Sequence, residues 1–463
     1  VSDLFGIINL GVSALVAYRN ALDTHSHNLA NVDTPGYSRQ EAVLTTNPAL
    51  PQAGSVASLM WGQFGTGVNV ETIRRAHEAF LGLQARMLNS ALGRWTAGAV
   101  PLREVESVLA PAPGEDLSAQ LDRFWDTWES VANKPEDLAL RYALRQSART
   151  LADSFRNTVE RLQSIRLSID AGIQSRVEEV NTLGREIGEL NRQISVALAE
   201  GRAPNDLLDR RDLLLDRLAL LSGALAFNSE GGHLIIYLDG RPLIQGATGY
   251  QLSMTSTDDG MVVRTSYDGG IVQITGGEIG GLLLARDSSI PGYLSQLDTL
   301  AQTLVSEVNS RHQAGYGLDD IAGRSFFAPG SGAGDMALDP AVLADVRAIA
   351  AASAPGAPGD GSTALGIANL RATPVLGGQT LNQLAQSLLG SIGNDIANSD
   401  TQVRAHQAVL HQIRQQQQSA AGVSIDEELA NLAFCQRAYE AAARVVTAAD
   451  EMLAIIIERL GVS

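Results

Sequence analysis

The chain has 463 residues, with 51 acidic and 34 basic side chains, a formal net charge of −17 and a pI near 4.8. Such a balance excludes general nucleic-acid binding, which needs a basic footprint, and electrostatic adhesion to an anionic membrane. A single cysteine, Cys435, excludes a disulfide framework and a cysteine-rich metal site, and the low aromatic content (5%) predicts little dense aromatic core.

The length is that of about three domains. The first 30 residues carry a helical stripe, with Ile8, Leu15, Leu22 and Leu29 spaced by seven. No apolar run reaches the ~18 residues of a membrane span, and no charged region precedes the first apolar stretch, so neither a membrane segment nor a cleaved secretion signal is expected. Asn31 to Gly36 should stop the helix, because Pro35 disfavours helical geometry at Thr34 and Pro-Gly favours a type II turn. Residues 40–73, with Pro48, Pro51 and several glycines, read as irregular or extended. Helices are expected at about 74–93 and 117–132.

Between Leu144 and Ile194 apolar residues recur at steps of three and four, predicting one long helix. A turn at residues 201–205 precedes a helix at 206–221 that ends before Gly223. Its Asp206, Asp209, Asp212 and Asp216 are read as a charged face paired with Arg210 and Arg211, since their spacing does not match a calcium loop. Short β-type runs follow (HLIIYL, PLI, YQLSM, MVVRTS, IVQI), punctuated by Asp239-Gly240, Asp259-Gly260 and Asp268-Gly269, which predicts a small antiparallel unit. The glycine-rich run at 276–281 lacks the Lys-Ser/Thr of a phosphate loop and reads as a strand-ending turn. Helical spacing returns at 294–308, residues 313–375 read as loops with short elements, and a long helix runs from Leu381 to the glutamines at 415–418. The last helix opens on Ser424 and Glu427, the pattern of a capping box. There Ile425, Leu432, Tyr439, Val446, Leu453 and Leu460 repeat every seven residues, with Cys435, Ala442, Ala449 and Ile456 three positions on.

The fold class expected is mainly α with a small antiparallel β domain. Residues 1–73 with 422–463 form a terminal coiled coil; 74–225 with 286–312 and 376–421 form a helical bundle; 226–285 with 313–375 form a β-rich outer domain. Neither terminal stripe can be buried alone, so the ends should pair with each other or with neighbouring copies. No metal-ligand pattern, hydrolase elbow or cofactor motif stands out.

Residues 27–40, HNLANVDTPGYSRQ, resemble the N-terminal motif of the bacterial flagellar rod, hook and hook-associated axial proteins, with Asn28, Ala30, Asn31, Thr34, Pro35, Gly36 and Tyr37 as its turn. Residues 424–460 resemble the matching C-terminal helix. The segments at 205–212, 276–282 and 290–291, together with the Tyr37-Ser38-Arg39-Gln40 ending, are similar to the hook-associated branch. This resemblance implies a structural subunit, not an enzyme, that forms the junction between hook and filament as a layer of a helical tube. It implies self-assembly, contact with the hook protein and with a second hook-associated protein, type III export without a cleaved signal, and a chaperone on the C-terminal region. The assembly interface would be the two heptad stripes, Ile8, Leu15, Leu22 and Leu29 with Ile425, Leu432, Tyr439, Val446, Leu453 and Leu460. A hook or rod subunit is the alternative within the family; a secreted enzyme and a coiled-coil adaptor are alternatives outside it.

Overall fold

The computed structural model describes residues 2–48, 65–112, 114–228, 234–258 and 260–460; Pro51 and Asp259 lie outside them, as does the side chain of Leu460. Helix α1 (Ser2–Ala30) leads into an antiparallel hairpin of β1 (Gln40–Thr46) and β2 (Val68–Arg75), bulged between Val43 and Leu44. The expected extended segment is therefore a paired ribbon. Five helices build the body: α2 (Ala79–Leu109), α3 (Leu117–Asn133), the 62-residue α4 (Leu138–Ala199), α5 (Asn205–Ser222) and, after the sheets, α7 (Ile290–Ala314). Helix α10 (Leu381–Ala421) returns along α2, and α11 (Ile425–Leu460) pairs with α1.

The helix starts follow local chemistry. Asp116 accepts from the Ala119 N–H and Asp137 from the Ala139 N–H, both at 2.8 Å, which satisfies donors that a helix N-terminus leaves free. Thr380 and Gln383 make a reciprocal capping box before α10. Gly223, at φ 72°, closes α5 in the left-handed conformation. At roughly 1.5 Å per residue α4 is about 93 Å long, and its residues from Leu144 to Ile194 at steps of three and four are buried almost without exception.

The remaining described β strands fall into two small units. Strands β3 (Leu225–Asn228), β4 (Leu234–Leu238), β5 (Arg241–Gln245) and β6 (Thr248–Gly249) form a meander, and β7 (Leu252–Thr257) pairs with β8 (Gly260–Thr265). The β4–β5 turn is Asp239-Gly240, with φ of 53° and 72°, as an Asp-Gly hairpin requires. Both units rest on the C-terminal half of α4, where Asn181 bonds the Leu252 backbone in both directions and Asn191 donates to Gly246.

Several expectations are corrected. Helix α2 does not end near residue 93 but continues through a buried Pro101 to Leu109, because its whole length is packed against α5, α10 and the helix at Gly277–Leu284, and that burial outweighs the local cost of a proline. The run at 276–281 opens a helix, α6 (Gly277–Leu284), which joins α7 through a π-helical turn at Ala285–Ser289. Its glycines serve close packing: a Cβ at Gly281 would press into the carbonyl of Arg94 on α2, and one at Gly93 into the carbonyl of Leu220 on α5. Residues 313–375 do not join the β units. With the short α8 (Pro340–Ala344) and α9 (Ser362–Ala368) they cover α3, α4 and α7. They also supply what the low aromatic content hid, a fully buried cluster in which Phe326 and Phe327 meet Phe124 and Trp128, with ring centroids 4.9–6.0 Å apart in the contacts Phe124–Phe326, Phe124–Phe327 and Trp128–Phe326. Few aromatics suffice because chain folding gathers them at one place. Finally, α1 over Leu4–Ala30 is long and apolar enough to cross a membrane by length and composition. The expectation of no such segment rested on unbroken apolar runs, and α1 interrupts its own with uncharged Gly, Asn and Ser.

His312 sits at the edge of the aromatic cluster. Its Nδ1 faces the Arg324 carbonyl at 2.8 Å, and its Nε2 accepts from the Ala350 N–H at 2.8 Å, which fixes the neutral tautomer. Burial pushes its pKa down to about 4, against the Arg324 carbonyl and Asp339 and assisted by Arg141 and the Arg324 guanidinium. An unfolded chain takes up this proton near pH 6.5 and the folded one only near pH 4, so stability falls as pH drops through that window, by roughly 3 kcal/mol. Urea midpoints between pH 7 and 4 should show this loss, and His312→Gln should flatten it. In the same assay Gly281→Ala should destabilise by about 2 kcal/mol through overpacking. Gly172→Ala in α4, where a Cβ would make only ordinary van der Waals contact with the Arg176 and Leu282 side chains, should instead stabilise by about 0.5–1 kcal/mol.

Candidate assembly site at the root of the terminal coil

Chain direction at the end of α1 is set by residues 31–37. The Tyr37 N–H closes a turn on the Thr34 carbonyl at 3.2 Å, with Gly36 at φ 80° over the Leu213 side chain. This is the conformation that Pro35-Gly36 favours. Asn31 donates from its side chain to the His27 carbonyl at 3.0 Å, and Thr34 Oγ1 donates to Asn31 Oδ1 at 3.1 Å. Ala30, Pro35 and Gly36 are exposed.

Asn28 is the centre. It is fully buried, and its amide is satisfied on both sides. Nδ2 donates to the Gln40 carbonyl at 2.8 Å and to Glu428 Oε2 at 3.1 Å; Oδ1 accepts from the Tyr37 hydroxyl at 2.7 Å and from the Gln40 N–H at 2.8 Å. His25 Nδ1 lies 2.6 Å from the same Glu428 oxygen. One side chain thus ties α1 to the hairpin, to its own turn and to α11. Burial and the charges of Asp206, Asp209 and Glu428 hold the Tyr37 phenol above its ordinary pKa, so it stays a donor.

The acidic face of α5 docks beneath this node. Ser38 donates to Asp209 through its N–H and its hydroxyl, at 2.9 and 2.8 Å. Arg75 of β2 reaches Asp209 at 2.8 Å and Asp212 at 2.6 Å, and Arg86 of α2 reaches Asp212 at 2.8 Å and Asp216 at 3.0 Å. Gln40 Nε2 donates to Asp206, while Asn205 donates to Gln40 Oε1 and to the Ile73 carbonyl. The expected pairing with neighbouring Arg210 and Arg211 is therefore corrected. The cations come from β2 and α2, more than 120 residues away in sequence, and Arg211 turns inward to Asn191. Burial pushes the Asp212 carboxyl up, but Arg75, Arg86 and His77 together carry it below the usual range; at Asp216 burial prevails and the pKa is raised. Among the described residues no His, Cys, Asp or Glu group is placed to hold a metal ion.

Above the node α1 and α11 run antiparallel: Gly11 faces Ala442 and Val446, while His25 and Asn28 face Glu428. The ends do pair with each other, and on α11 the seam falls on the small companion repeat, Cys435, Ala442 and Ala449, and not on the large heptad. The buried positions are Gly11, Ala17, Ala21, Thr24 and Asn28 on α1, and Glu428, Cys435, Ala442 and Ala449 on α11. Of the expected interface, Ile8, Leu15, Leu22, Leu29, Leu432, Val446 and Leu453 are half-buried flanks, and Ile425 and Tyr439 are exposed. Small side chains let two helices approach closely, and the large repeat is displaced to the side. Burial raises the pKa of the Cys435 thiol, which sits in that seam. Sequence reasoning quoted Ser38 and Gln40 only as motif residues and missed Arg75 and Arg86; for the α1 side of the seam, the small-residue stripe at steps of four and three from Ala17 was the available signal.

A two-helix coil made from both chain ends, carried on a long helical body, is the arrangement that the resemblance to axial flagellar subunits implies, and comparison with known proteins agrees. Residues 102–327 match the flagellar hook-associated protein FlgK helical domain, 414–459 the C-terminal region of the flagellar basal body rod FlgEFG proteins, and 8–37 the flagella basal body rod protein. The chain is 27% identical to flagellar hook-associated protein 1 of Bacillus subtilis (strain 168), covering 97% of each chain. It is 26% identical to flagellar hook-associated protein 1 of Escherichia coli (strain K12), covering 97% of this chain and 99% of that one. The flagellar hook junction protein FlgK from Burkholderia pseudomallei shares the fold, with a TM-score of 0.64 and 17% identity over 74% of this chain and 100% of that chain. The chain belongs to the flagellar hook-associated protein 1 family. Its relatives are structural proteins of the flagellum, not enzymes, and it is a flagellar structural protein that acts outside the cell.

Removing Arg75 would leave Asp209 and Asp212 with fewer partners in a largely buried setting. Arg75→Leu should destabilise by about 3 kcal/mol, and Asn28→Ala, which strands the Gln40 backbone and Tyr37, by about 2–3 kcal/mol. Urea unfolding measures both, and hydrogen exchange should show the loosening first in β1 and β2.

Proposed function

We propose that the chain assembles at the distal end of the hook and forms the junction between hook and filament, as a layer of a helical tube. The observation that carries this reading is the outer surface of the α1–α11 coil. Phe5, Val16, Phe434, Met452, Ile455 and Ile457 are each more than half exposed there, although the two helices are already paired. A lone chain rarely keeps so many large apolar side chains in water on one pair of helices unless something covers them. Copies of the same coil are the natural cover, since a tube built from repeated subunits closes every such face. The hook protein on one side and a second hook-associated protein on the other complete the set of axial neighbours. Before assembly the same α11 face fits an export chaperone that reads helical anchors at i, i+3, i+4 and i+7, and delivery by the flagellar type III apparatus belongs to the same reading. The match over residues 102–327 and the names of the relatives favour a junction subunit over a hook or rod subunit.

An in-frame deletion, followed by motility assays and electron microscopy, tests this. Bare-ended hooks with filament protein shed into the medium are expected; normal filaments would sink the proposal. Leu432→Asp should abolish filament attachment while the unfolding free energy of the purified chain, measured in urea, stays within about 1 kcal/mol, since the site is only a flank of the seam.

A further inference from the structure

Helix α11 carries two repeats of seven. One is large (Ile425, Leu432, Tyr439, Val446, Leu453); the other is small (Cys435, Ala442, Ala449) and is headed by Glu428. At about 100° per residue they lie roughly 40–60° apart around the helix. Apolar area alone would turn the large repeat toward α1, because burying a Leu or Val side chain yields about 1.5–3 kcal/mol and alanine much less. The structure does the reverse. It buries the small repeat, keeps Leu432, Val446 and Leu453 half-buried at its flank, and leaves Ile425 and Tyr439 exposed. What distinguishes the small repeat is Glu428, 1% exposed, with its Oε2 bonded to Asn28 Nδ2 at 3.1 Å and 2.6 Å from His25 Nδ1. Turning α11 by the angle between the repeats would draw this oxygen away from both partners and leave buried polar groups unpaired.

We propose that Glu428 is a positioning residue that selects which face of α11 meets α1, holding the small repeat at the centre of the pair and the large repeat at its flank. That neighbouring copies use the large repeat rests on the assembly reading above; the orientation of α11 does not. In place of Glu428 an alanine would extend the small repeat by one more small residue and remove the polar bias, and the large repeat would then rotate inward.

The native Cys435, the single cysteine of the chain, reports the orientation. Its alkylation rate by N-ethylmaleimide is compared, in the purified chain, with the rate in urea, and a second reporter is Leu432→Cys in a Cys435→Ala background. Cys435 in the wild type should label at least about tenfold more slowly than in urea, as a seam position protected by local structure. In Glu428→Ala the pattern should invert: Cys435 labels about tenfold faster and the residue-432 reporter more slowly. Glu428→Gln keeps an oxygen for Asn28 and should label like the wild type. Faster labelling at both positions in Glu428→Ala would mean that α11 merely detaches, and would overturn the proposal. So would an unchanged pattern, a Gln variant that labels like the Ala variant, or a wild-type Cys435 that labels as fast as in urea. None of these outcomes depends on whether the subunit sits at the hook–filament junction, which the deletion experiment decides separately.

Discussion

The buried amide of Asn28 is the constraint on which the rest of the terminal region depends. Both donors and both acceptor positions of one side chain are used, by the hairpin backbone, by Tyr37 and by Glu428. Fully satisfied, such a node is rigid; half satisfied, it would be worse than an apolar contact. Three elements that a chain of this length could orient in many ways, α1, the β1–β2 ribbon and α11, are thereby held in one relation. The charges below extend that relation into the body. Asp209 and Asp212 on α5 bind Ser38, Arg75 and Arg86, so the coil, the ribbon and α2 rest on a single helix.

The two ends of this construction use different physics. The body is held by apolar burial along α4 and by close helix crossings that only glycine permits, as at Gly93 and Gly281. The coil is held by a narrow seam of Ala, Gly, Thr and Cys, which buries little area, plus the polar node at its base. A coil with a thin seam and a wide apolar flank is poor at satisfying itself and good at joining others. This is why its residues are informative about assembly while those of the body are informative about stability.

Much of this was legible in the residues. The steps of three and four from Leu144 to Ile194 marked α4, the seven-residue repeat marked α11, and Pro35-Gly36 marked the turn, because each is a local pattern tied to backbone geometry. Periodicity names a face and not its partner, and the misreadings follow from that. The large heptad of α11 and its small companion both look like seam positions, yet within the chain the pair centres on the small one. The aspartates of α5 were given their nearest arginines, yet their partners lie more than 120 residues upstream. Gly276 to Gly281 was read as a turn because glycine is poor in helices, yet here helix crossings need its missing side chain. The aromatic cluster around Trp128 and Phe326 joins residues some 200 apart, and no count of aromatics reveals such a meeting.

The antiparallel pairing of α1 with α11 has a consequence in time. His25 and Glu428 are 403 residues apart along the chain, so this coil has nearly the highest sequence separation the molecule allows. Loop closure over that span cannot be completed until almost the entire polypeptide is present. A chain emerging N-terminus first can fold its body around α4 as it goes, but α1 must wait. The two-helix surface therefore cannot form before α11 is present, 403 residues after its partner position on α1.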